Sequence, residues 1–211
     1  MKFWTVQHRN IARILFEKQN YSPDFNIPHP SNKYGSMRNV YPIVLDEYRK
    51  RNNIDCSGIV FGFSQLERVE LEDSQQFYDF FRKYPNTSIA FQFWDPLYCL
   101  LELEISDSID VTPIGFNDFI KLSIEADKDI GRMNYINQFE ATPFDQQLIE
   151  IKDHFNNGTV RDNWVVQVHT HSISKDNIVD IHPIFDYQSG RFFEMNGSFM
   201  RLKNLDLTGN Q

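Results

Sequence analysis

His169-Thr170-His171 is the densest concentration of imidazole in the chain. It sits at the end of Trp164-Val165-Val166-Gln167-Val168, a β-branched run that reads as a strand. Residues two apart on a strand share a face, so both rings point the same way. Two imidazoles on one face could hold zinc or another metal. Such a site needs a third ligand, and His182, Asp180 and Glu194 are candidates by residue type alone. No H-E-x-x-H or C-x-x-C spacing supports them, so no metal is expected. The plainer account is a strand whose polar face carries imidazoles. Glu102 and Glu104 form the other same-face pair. They could act as paired carboxylates, or simply wet one side of a sheet. Cysteine nucleophiles need a lowered pKa and a nearby base. Cys99 lies in an apolar run and reads as core, and Cys56 has only Asp55 beside it. Gly-x-Ser-x-Gly, Gly-x-Gly-x-x-Gly and the phosphate loop ending Gly-Lys-Ser/Thr are all absent.

The elements that would position these residues follow from apolar spacing. Phe3 to Val6 reads as a strand. Asn10 can cap a helix over Ile11, Ala12, Ile14, Leu15 and Phe16 that stops near Asn20. Tyr21 to Asn39 holds Pro23, Pro28, Pro30 and Gly35 and reads as a long loop. Tyr41 to Arg51 looks helical, with Ile43, Val44 and Tyr48 inward. Ile59 to Phe63 reads as a strand, where Gly58 and Gly62 permit a turn or a close approach. Asp73 or Ser74 caps a helix to Lys83. Ser88–Trp94 and Leu97–Ile105 are strand candidates, and the alternation from Leu101 to Ile105 predicts one buried and one wet face. Helices follow over Phe119, Ile120, Leu122 and Ile124, and from Thr142-Pro143 through Phe155 to a glycine stop at Gly158. After the His169 strand, Asp176 to Ile181 follows a turn. Arg191–Met195 and Phe199–Leu202 could pair as a hairpin around Asn196-Gly197. Helices and strands mix without strict alternation, which predicts one α+β domain over 1–211, a central mixed or antiparallel sheet with flanking helices.

Composition limits the function classes. The chain has 211 residues, with 21 Lys+Arg against 29 Asp+Glu and a net charge of −8. That balance argues against broad affinity for nucleic acid. Aromatics reach 15%, with 19 Phe, too apolar for a disordered chain. Two separated cysteines make no disulfide framework. No apolar run is long enough to span a membrane, and the first residues lack a signal-peptide pattern. The expectation is a cytoplasmic protein whose partner is a small molecule or another protein. As a protein-interaction module, such as a phage or host-defence regulator, it would use aromatic anchors like Phe93 and Trp94.

Phe3-Trp4-Thr5-Val6-Gln7, the helix ending near Asn20 and then Asp24 resemble a family of uncharacterised bacterial proteins that opens on a W/Y-T-x-Q strand. The Tyr41–Ile54 helix, Leu100-Leu101-Glu102-Leu103-Glu104-Ile105-Ser106-Asp107 and Phe116-Asn117-Asp118-Phe119 extend that resemblance over about the first 125 residues. The strand–helix–loop opening is also similar to that of ADP-ribosyltransferase-like domains. That likeness implies an NAD-binding fold in which Gln7, with Thr5 and Tyr41, holds the nicotinamide side. A late strand would carry catalytic Gln-x-Glu, matched here by Gln167 and His169. The chain departs from the pattern because His169 stands where the family has Glu. An imidazole cannot replace a fixed carboxylate facing an oxocarbenium-like centre. The resemblance then implies a different reaction, or NAD binding without transfer. It also requires the opening strand and the His169 strand to be neighbours walling one pocket. A metal-dependent hydrolase built on His169 and His171 is the remaining alternative.

Overall fold

The computed structural model describes residues 1–26, 37–84, 96–106, 111–186 and 189–195. In chain order the elements are β1 (Lys2–His8), α1 (Arg9–Lys18), β2 (Asn20–Tyr21), α2 (Met37–Asn52), β3 (Val60–Leu66), β4 (Val69–Glu70), α3 (Ser74–Lys83), β5 (Tyr98–Glu104), β6 (Thr112–Gly115), α4 (Phe116–Ala126), α5 (Ile130–Phe139), α6 (Phe144–Asn157), β7 (Val165–Thr170), β8 (Ile173–Ser174) and β9 (Ile178–His182), with a 3-10 turn at Lys175–Asn177. The class is α+β, as expected. No helix among the described residues is long and apolar enough to cross a membrane. The chain divides into two compact units. The first comprises residues 1–21, 70–106 and 172–211, and the second 22–69 and 107–171.

In the first unit β5 is the middle strand, antiparallel to β1 on one side and to β9 on the other. Four aromatics of α3 (Phe77, Tyr78, Phe80 and Phe81) are buried. Each contributes about 1.5–3 kcal/mol by burial. The Asp73–Gln76 capping box adds ~1 kcal/mol, so it sets where the helix begins while packing holds it. Helix α1 buries Ile11, Ala12 and Leu15 as its spacing predicted. Its cap is His8, however, whose Nδ1 accepts from the Asn10 N–H at 3.1 Å. The expected wet face of β5 is corrected too. Glu102 is 7% exposed, because Lys2 (2.6 Å) and His182 Nε2 (2.9 Å) both reach its carboxylate. Glu104 remains in solvent. Cys99 is fully buried, and burial pushes its thiol up to about 12, which makes it core.

In the second unit β7 lies between β3 and β6, antiparallel to both. Every residue of β7 is buried. Helices α2, α4 and α6 pack against one another. They contribute Val44 and Tyr48, Phe119 and Leu122, and Phe144, Ile151 and Phe155 to the core. Helix α6 ends on Gly158 at φ +67°, the expected glycine stop. Arg51 Nη1 reaches over that end and donates to the carbonyls of Phe155 (2.9 Å) and Asn156 (3.1 Å), offsetting the negative pole of the helix. Thr142 does not cap α6; its carbonyl instead accepts from Gln147 Nε2. The sequence does not predict helix α5, because it has no clear apolar stripe. The expected strand at Ser88–Trp94, the anchors Phe93 and Trp94 and the hairpin turn at Asn196-Gly197 lie outside the described residues.

Candidate functional site

Among the described residues the buried side-chain polar atoms without a hydrogen-bond partner are Trp4 Nε1, Arg51 Nε, Gln167 Oε1 and both ring nitrogens of His169, so three of the five lie on β7. Opposite residues on paired strands share a face, so the ladder defines two rows. His169 faces Phe61 of β3 and Thr112 of β6, and Gln167 faces Phe63 and Ile114. Asn52 of α2 donates to Thr112 Oγ1 at 3.1 Å, which puts this face under the helices. His169 is fully buried against three phenylalanines. Phe61 stands edge-on at 4.7 Å between centroids, Phe155 of α6 lies at 6.1 Å and Phe119 of α4 at 6.2 Å.

Among the described residues neither nitrogen of His169 has a hydrogen-bond partner, and nor does the buried Oε1 of Gln167. Edge-on packing offers an imidazole N–H at most a weak π acceptor. A buried polar atom left unpaired costs about 1–3 kcal/mol. Burial also lowers the His169 pKa to about 3, so the ring is neutral at physiological pH. It then carries one donor and one acceptor nitrogen.

An aromatic path leads from this buried ring toward half-exposed positions. Tyr41 of α2 lies 4.8 Å from Phe61, and Phe25 stacks on Tyr41 at 5.3 Å. The Phe25 segment is held by its N–H to the Ser57 carbonyl (2.9 Å). A Cβ on Gly58 would come within 2.7 Å of the Pro23 carbonyl oxygen, so this glycine permits the close approach expected of it. Burial pushes the Tyr41 hydroxyl up to about 12.

The second unit therefore brings Tyr41, Gln167 and His169 into one neighbourhood. Gln7 and Thr5 belong to β1 of the first unit, where the Gln7 amide donates to Thr5 Oγ1 at 2.7 Å. Both edges of β7 are taken by β3 and β6, so the expected pairing of the opening strand with the His169 strand is corrected. The twin imidazoles also part company. His171 lies beyond the end of β7, with Nδ1 3.2 Å from the Tyr48 hydroxyl, while the same hydroxyl accepts from the His171 N–H at 3.0 Å. Among the described residues no three His, Cys, Asp or Glu are grouped to hold a metal ion. The first-unit candidates His182 and Asp180 instead accompany Glu102.

Sequence reasoning missed one polar network. Asp118, 2% exposed on α4, takes Arg161 Nη2 at 2.5 Å, and Arg161 also reaches Glu150 at 3.4 Å. Burial opposes the Arg161 charge, but Asp118 and Glu150 outweigh it and raise its pKa. Gln147 links this pair to Lys121 at 2.5 Å, and Lys121 to Glu140 at 3.1 Å. The 43-residue separation of Asp118 and Arg161 leaves no local signal for it. Set beside models of known protein families, curated proteins and solved structures, the chain has no match.

Proposed function

We propose that the second unit binds a small, neutral, planar heterocycle of the nicotinamide or nucleobase kind, as NAD or a related nucleotide presents, and binds it without transfer. The observation that carries this reading is that Gln167 Oε1 and the His169 ring nitrogens, buried on one face of β7, have no hydrogen-bond partner among the described residues. A ligand amide could donate to Gln167 Oε1 and accept from the imidazole N–H, removing both desolvation costs. Tyr41, Phe61 and Phe25 supply flat apolar surfaces on which such a ring stacks. Catalysis is not part of the proposal. A neutral imidazole offers no negative charge to a developing oxocarbenium centre, and Gln7 belongs to the other unit.

The test is thermal unfolding and calorimetry with NAD, nicotinamide and adenosine as separate probes. Millimolar NAD or nicotinamide should raise Tm by mass action. Gln167→Met and His169→Leu should remove the shift, whereas Gln7→Ala should keep it. Chromatography should recover the NAD intact. If none of the three probes moves Tm, or if the shift survives both β7 substitutions, the reading fails.

A further inference from the structure

Helix α5 has almost no tertiary cover. Of its ten residues only Ile136 is buried, while Ile130 (66%), Tyr135 (63%) and Phe139 (64%) are exposed. A helix this short is marginal in water without packing, and Gly131, Asn134 and Asn137 are poor helix formers. Its ends are pinned. Asp129 Oδ1 accepts from the Arg132 N–H at 3.1 Å, and Asn137 Oδ1 accepts from the Phe144 N–H at 2.7 Å. Between these anchors Tyr135 and Phe139 lie one turn apart, with centroids 4.7 Å apart and planes tilted by 40°. Two large exposed rings held together in this way make a preformed apolar contact surface.

Charge decides what covers it. From Asp118 to Asp162 the chain carries nine carboxylates against five cations. Lys121 pairs with Glu140, and Arg161 with Asp118 and Glu150, which leaves Glu125, Asp127, Asp129, Asp145, Asp153 and Asp162 against Lys128, Arg132 and Lys152. Arg132 is already spent on Asp129 at 3.4 Å. A second copy would present the same excess of carboxylates along this stretch and a net charge of −8. We infer that the Tyr135–Phe139 face of α5 docks a protein partner through an apolar segment flanked by Lys and Arg. Opposite charges then steer the encounter, and the two rings anchor it. This surface lies outside the β7 site and stands independently of the ligand reading.

The probe is a labelled amphipathic peptide with Leu on one face and Lys on the other, paired with a counterpart carrying Glu for Lys. Fluorescence anisotropy on the full chain should show the Lys peptide binding about tenfold or more tightly than the Glu peptide, and weakening with salt. The double variant Tyr135→Ser/Phe139→Ser should lose roughly tenfold or more in affinity with Tm unchanged, because both rings are exposed. Equal affinity for the double variant, or no binding by the wild-type chain, overturns the inference. So does a concentration-dependent dimer in sedimentation that the double substitution abolishes, since the occupant would then be a second copy.

Discussion

His169 faces Phe61 directly across the β3–β7 ladder, and its ring stands edge-on to the phenyl, 4.7 Å between centroids at 73°. This contact occupies a position where a hydrogen-bonding neighbour would be expected for a buried imidazole. It leaves the ring neutral and its nitrogens unmatched. The first two predictions follow from it.

Stability should depend on pH through His169. Its folded-state value, about 3, lies below the unfolded value of 6.5, so the unfolded chain takes the proton first. The stability attached to the neutral ring is complete above about pH 6.5 and drains away as pH falls toward 3. At ~1.4 kcal/mol per unit the loss is on the order of a few kcal/mol across that window. Urea unfolding between pH 7 and 4 measures it, and His169→Leu should flatten the slope. A wild-type imidazole that titrates near pH 6 in the folded state, seen by NMR, would contradict the burial argument.

Replacing the same residue should separate binding from stability. Exchanging an orphaned buried polar group for an apolar one of similar size is commonly neutral or stabilising. His169→Leu at pH 7 is therefore expected to match or exceed the wild-type Tm while losing the response to NAD or nicotinamide. A loss of more than about 2 kcal/mol would mean that the imidazole makes a bond the folded chain needs.

Glu102 should matter in the first unit. Its carboxylate is shared by Lys2 and His182, and Glu102→Ala leaves both without it. The cost should be about 1–3 kcal/mol in chemical denaturation. A double-mutant cycle with His182→Gln should show coupling of about 1 kcal/mol. Additive single effects would show the contact to be inert.

The Tyr48 hydroxyl holds the end of β7 by accepting from the His171 N–H. Tyr48→Phe keeps the buried ring but leaves that donor unmatched, at a cost of about 1–2 kcal/mol. Hydrogen exchange should report it locally, with faster exchange at His171 and little change in the middle of β7.

Gly158 closes α6 in the left-handed region, and a Cβ there would come within 2.2 Å of Arg51 Nη2. Gly158→Ala should cost about 1 kcal/mol in backbone strain alone, plus whatever is lost when Arg51 lets go of the α6 carbonyls. An unchanged Tm would show that the arginine clamp adapts freely.

Much of this architecture was legible in the sequence because local rules decide it. Apolar spacing over Ile11–Leu15, Phe77–Phe81 and Phe144–Phe155 determined three helices and their buried faces, since a 3.6-residue period leaves one stripe to bury. The Asp73 cap, the Gly158 stop and the β-branched run of β7 were equally local. Helix α5 escaped because its apolar residues are scattered around the axis, so no period marks it. The tertiary structure alone decided which strands became neighbours. Pairing β7 with β3 and β6 depends on contacts between distant parts of the chain, and it separated β7 from the opening strand. It also decided polarity. Gln167, His169 and Glu102 are polar by type, and only packing from residues far away in sequence could remove their water, leaving Gln167 Oε1 and the His169 nitrogens without partners among the described residues and giving Glu102 both Lys2 and His182.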